Sequence, residues 1–224
     1  MPGEPDPLYV AARSVLLDAL DALGSQRDAL ILVGAQAVYL YTGAIELPIA
    51  EYTTDADVTI DPHLLKQTPE IESTLTTAGF FRGRRVGVWV TTREVNGVLV
   101  NIDLDLMVPA AVAGPGRRAA RLAGHAREVA RKARGLEASL VDKHVMTIRA
   151  LDSSDGRALG VSVAGPAALL VSKLHKIPYG SPSASRGVST TKTRWTYCAC
   201  CKRSRQLILC AHSANFWTMP SPRK

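Results

Sequence analysis

The stretch that most constrains this chain runs from residue 29 to residue 61. ALILVG (29–34) is a short apolar run closing on a glycine, the pattern of a buried strand. AQAVYLYTG (35–43) returns to helix and stops at Gly43, and YTTDADVTID (52–61) reads as a second strand. Side chains alternate along a strand, so Asp55 and Asp57, two apart, leave the same face. Further on, VLVNIDLDLMV (98–108) puts Asp103 and Asp105 on a shared face in the same way. It follows VGVWVTT (86–92) through Asn96-Gly97, the strongest short hairpin signal a sequence offers.

Carboxylates set side by side repel one another unless a cation neutralises them. A hard divalent ion that takes oxygen ligands, Mg²⁺, is the expected occupant. A pair of such ions clamped by carboxylates would activate an attacking oxygen and stabilise a phosphoryl leaving group. Gly34 has no side chain, so backbone amides and the N-terminus of the next helix can approach a triphosphate there. The order of glycine turn, helix, D-x-D strand and acidic hairpin strand therefore predicts a grip on a nucleotide. Each part has a plainer reading when taken alone. A D-x-D is a weak signal, a glycine after a strand is often only a turn, and Asp103 also fits a solvated edge position.

The remaining pattern is α/β. Asp6-Pro7 suits a helix start, and Leu8, Ala12, Val15, Leu16, Ala19 and Leu23 give a helical stripe ended by Gly24. Pro69 to Gly79 predicts a helix, and GPGRRAARLAGHAREVARKARG (114–135) a loop and a basic helix. SLVDKHVMTI (139–148) is strand-like, and VSVAGPAALLVSKLHKI (161–177) is a strand followed by a helix opened by Pro166. The order predicts a mixed sheet covered by helices. Leu32, Val33, Val38, Val58, Ile60, Val90, Leu104 and Leu170 are the expected core.

The net charge of +7 is unevenly spread. From Pro178 onward there are eight Lys and Arg and no Asp or Glu, leaving 27 − 8 = 19 basic against 20 acidic residues before it. The body is close to neutral, so its bulk charge makes no case for nucleic acid. Within the body, Arg117, Arg118, Arg121, Arg127, Arg131, Lys132 and Arg134 could hold RNA on one helix face, or form a solvated surface. No apolar run approaches the roughly 18–20 residues of a membrane span. MPGEPDPLYV lacks the features of a signal peptide, so a cytoplasmic location without disulfides is expected.

On LVGAQAVYLYTG, YTTDADVTID, DLMVP and AGPAALLVSKLHKI, the chain resembles the AbiEii-type nucleotidyltransferases of the polymerase-beta-like superfamily. These are the toxin side of type IV toxin–antitoxin pairs. The resemblance spans roughly residues 10–177. It implies that Gly34 and Ala35 seat nucleotide phosphates, that Asp55 and Asp57 bind Mg²⁺, and that Asp105 is the third acid, with Asp103 as second choice. It implies a phosphate role for Lys173, although lysines on such an apolar helix also snorkel to solvent. The implied reaction transfers NMP from an NTP to a hydroxyl, with the 3′ end of a tRNA as the expected acceptor and an antitoxin protein as a possible partner. Where the superfamily usually has Gly-Gly or Gly-Ser, this chain has Gly34-Ala35, so backbone amides replace a hydroxyl contact. Residues 1–160 are then the catalytic core, and 161–177 open a C-terminal helical region.

The tail, 178–224, is expected to be out of frame. In the family the helix opened by Pro166 runs on into a K-D-A-x-D segment that this chain lacks. Read one base earlier, Trp195-Thr196 must yield Asp, because TGG ends in G and threonine codons begin AC. Tyr197-Cys198 and Cys200-Cys201 must each yield Leu. With permitted codons, Val188 to Cys201 becomes R-L-H-D-K-D-A-V-D-V-L-R-L-L, which contains the missing segment. A frameshift near residues 178–186 would have replaced the C-terminal helices. Two alternatives stand beside the enzyme reading: an inactive remnant that at most binds NTP, and a zinc-dependent nucleic-acid-binding module at Cys198, Cys201, Cys210 and His212. The second is weakened because Cys200 intrudes in the pair and one residue separates Cys210 from His212.

Overall fold

The computed structural model describes residues 5–42 and 53–176. Gly43 and the whole of 178–224, with every cysteine and the expected zinc ligands, lie outside the described residues.

Helix α1 (Pro7–Ala22) starts as its sequence predicts: Asp6 Oδ1 accepts from the amides of Leu8 at 2.8 Å and Tyr9 at 3.4 Å, with Pro7 in the first turn. Its apolar stripe is buried through Ala12, Val15, Leu16, Ala19 and Leu20. Each buried leucine contributes about 1.5–3 kcal/mol. A 3₁₀ turn (Gly24–Ala29) leads into β1 (Leu30–Leu32), then α2 (Gly34–Thr42) and β2 (Asp55–Ile60). There follow α3 (Ile71–Thr77), β3 (Phe81–Arg82), β4 (Val88–Val95), β5 (Val98–Pro109), β6 (Arg131–Ala133), β7 (Lys143–Arg149), β8 (Ala158–Ala164) and α4 (Pro166–Leu174).

The eight strands form one mixed, open sheet in the order β3-β4-β5-β2-β1-β8-β7, with β6 paired to β5. β2 and β5 are parallel, as are β1 and β8, and β5 and β6, whereas β1–β2, β3–β4, β4–β5 and β7–β8 are antiparallel. The β4–β5 hairpin turns at Asn96 (φ 53°) and Gly97 (φ 78°), the two positive φ values that a type I′ turn needs. Alternation divides the central strands into two faces. Ala56, Val58 and Ile60 of β2 and Ile102, Leu104, Leu106 and Val108 of β5 are buried in the core with α1. The other face carries Asp55, Asp57, Asp103 and Asp105. Helix α4 is fastened at its start by Asp142, whose Oδ2 accepts from the Ala168 amide at 2.8 Å.

Two expectations are corrected. Val90 is only half-buried, because it pairs with Asp103 and lies on the acidic face. Trp89 fills the core instead, donating its Nε1–H to the Val129 carbonyl at 3.0 Å. The basic helix expected within 114–135 does not form. The left-handed residues Gly116, Gly124 and Glu128 (φ 110°, 77° and 75°) interrupt it. The segment 131–133 instead pairs with Met107–Pro109 of β5. A ladder on an open strand edge outweighs the helix propensity of alanine and arginine.

Candidate active site

Parallel pairing of β2 with β5 sets Asp55 opposite Asp103 and Asp57 opposite Asp105. Four carboxylates therefore share one face of two adjacent strands, and the sequence-predicted acids do come together. They are not equivalent. Asp105 is bound by Arg131 of β6, whose Nη2 donates to Oδ2 at 2.6 Å and whose Nε reaches both oxygens at 2.9 and 3.0 Å. Burial opposes the Arg131 charge, but the hydrogen bonds and charge of Asp105, with Asp57 beyond, outweigh it and hold its pKa above the ordinary value. Asp103 has a looser partner, Arg85, at 3.5 Å and largely in solvent. Asp55 accepts from the Thr53 hydroxyl.

Asp57 sits in a different electrostatic setting. Its pKa is pushed up to about 6, first by burial, then by Asp55; Asp105 adds to this, and Lys176 and Lys173 at the end of α4 pull it back. Lysines far along the chain thus act electrostatically on Asp57. Asp57 also explains why residue 34 is glycine. Gly34 holds φ +73°, and a Cβ there would come within 2.0 Å of Asp57 Oδ2. The carboxylate packs directly on the backbone where β1 gives way to α2. The Val33 amide donates to the Asp57 carbonyl at 3.0 Å, locking strand to turn. Ala35 is buried in the first turn of α2, so what it can offer a ligand is backbone. The first turn of any helix has amides without intrahelical partners.

Behind this face, Gln36 joins three elements. Its Nε2 donates to the carbonyls of Ala12 at 3.2 Å and Asp55 at 3.1 Å, and its Oε1 accepts from Arg13 Nε at 2.8 Å. Arg13, 3% exposed, has no carboxylate in this network; it also donates to the Arg149 carbonyl at 3.0 Å and the Tyr9 hydroxyl at 2.7 Å. Sequence reasoning missed Gln36 and Thr53 as supports. A lone glutamine in an apolar helix was the available signal. It placed Arg131 on a helix facing RNA, and nothing in the order of residues ties position 131 to Asp105.

The donor set fits a cation in part. Asp55 and Asp57 offer oxygens on one face, and the raised Asp57 pKa marks negative charge that a hard cation would relieve. Asp105 would have to exchange Arg131 to join them. Among the described residues no three His, Cys, Asp or Glu side chains are grouped to hold a metal. Neither a known family model nor a curated protein matches the chain.

Proposed function

We propose that the chain is a Mg²⁺-dependent nucleotidyltransferase of the AbiEii-like kind, transferring NMP from an NTP to a hydroxyl of RNA, with tRNA as the favoured acceptor. The observation that carries this reading is Asp57 resting on Gly34 at the start of α2, in register with Asp105, with Lys176 and Lys173 drawing its pKa down. Asp55 and Asp57 would hold the cation. When bound, it supplies positive charge to the triphosphate and to the attacking oxygen. The amides at Gly34 and Ala35 seat the phosphates, and Lys173 offsets their charge. In the step, the acceptor oxygen bonds to the α-phosphorus while that phosphorus separates from the oxygen bridging to the β-phosphate. Pyrophosphate leaves with the electron pair, and the acceptor proton passes to the Asp105 carboxylate once Arg131 has moved off it.

Protein incubated with Mg²⁺, the four NTPs and bulk tRNA is expected to add NMP mass to the RNA, read by intact-mass spectrometry. Asp55→Ala with Asp57→Ala abolishes the gain. A second reading, NTP binding without turnover, is favoured by one observation: Arg131 already occupies both oxygens of Asp105. It predicts NTP retention with no mass added to RNA by the unaltered chain.

A further inference from the structure

The arginine-rich segment between Gly114 and Gly135 serves two different places. Arg131 is committed to Asp105, and Lys132 Nζ donates to the Gly114 carbonyl. Arg117, Arg118, Arg121 and Arg127 instead line one cavity of about 420 Å³, walled by Val86 and edged by Glu128. All four are exposed, and none forms a carboxylate ion pair among the described residues. The charge of Glu128 is shared with Arg82. Four like charges gathered round a hollow repel one another, and a group of this kind attracts an anion from solution.

The cavity adjoins the carboxylate face. Its walls are stitched to β6 and the residue before it, and β6 pairs with the acid-bearing β5: Lys132 N donates to the Arg118 carbonyl at 2.7 Å and Ala120 N to Ala130 at 3.0 Å. Gly87 N donates to Glu128 at 3.1 Å, and Leu106 N to Gly87 at 2.7 Å, one residue from Asp105. Arg85, beside Val86, reaches Asp103. Guanidinium groups match phosphate oxygens in pairs, and the volume suits a phosphate–sugar unit of a single strand better than a duplex.

We propose that this cavity binds the phosphodiester backbone of a single-stranded RNA acceptor and leads its end toward the carboxylates; the choice of RNA as ligand rests on the nucleotidyl-transfer reading. The test is fluorescence anisotropy of a labelled single-stranded RNA with the full chain, titrated over NaCl in EDTA so that no turnover occurs. Arg118→Ala is expected to lower the log–log salt slope by about one, and Arg117→Ala with Arg121→Ala by about two. Arg149→Ala, a charge-matched change on the exposed far-edge strand β7, leaves the slope unchanged. Equal slopes in the unaltered chain and the cavity variants, or equal loss in Arg118→Ala and Arg149→Ala, would overturn the proposal. So would cavity variants that lose binding to phosphatidylserine vesicles while keeping RNA. Loss of RNA binding in the cavity variants, with no NMP added by the unaltered chain, sustains the cavity and sinks the enzyme reading. NMP addition with unchanged RNA slopes does the reverse.

Discussion

Asp57 and Gly34 constrain each other. Asp57 binds its proton more tightly folded than unfolded, because its pKa rises from 3.8 to about 6. Protonation therefore favours the fold fully below the unfolded value, and that contribution is lost as pH rises through about 6. The shift corresponds to about 3 kcal/mol as an upper bound. Asp57→Asn removes the charge, so this variant is expected to melt several degrees higher than the unaltered protein at pH 8 and at nearly the same temperature at pH 4. The gain would come at the site where function is proposed, as strained functional sites often show. Gly34→Ala tests the other half of the pair. The left-handed φ alone costs roughly 1–2 kcal/mol for an L-residue, and the 2.0 Å approach to Asp57 adds to it. Urea unfolding should show a loss of at least about 2 kcal/mol.

At the scale of elements, what is local in sequence was legible. Asp6-Pro7 starts α1, Asn96-Gly97 turns the hairpin, and Pro166 opens α4. Each D-x-D pair falls on one face of its own strand by alternation, and the register of β2 on β5 brings the two pairs together. What could not be read is pairing between distant segments. Asp105 meets Arg131 only because β6 completes an edge of β5, and the alanine-rich context of Arg131 argued for helix. Lys173 and Lys176 act electrostatically on Asp57 because α4 packs against α2, which no residue spacing encodes. Gln36 links α1, α2 and β2 through hydrogen bonds. Gln36→Ala leaves Arg13 and two carbonyls short of partners, each worth about 1–3 kcal/mol when buried. A loss of about 2–4 kcal/mol in urea unfolding is expected.

For the molecule as a whole, the described body is a mixed sheet with one acidic face, and no helix among the described residues is long and apolar enough to cross a membrane. Val171 and Leu174 on α4 are 38% and 43% exposed. The out-of-frame reading of 178–224 accounts for them as surface that further helices would cover. Sequencing the gene across codons 175–224 is expected to reveal K-D-A-x-D in the adjacent frame; its absence there would refute that reading. The reaction proposed for the carboxylate face is nucleotidyl transfer. Its most direct measurement follows label from two versions of one NTP into RNA, with Mg²⁺ present. RNA is expected to gain label from the α-phosphate and none from the γ-phosphate, and Asp55→Ala with Asp57→Ala to abolish the gain. Label arriving from the γ-phosphate, label from neither position, or α-label undiminished in the double variant would contradict it.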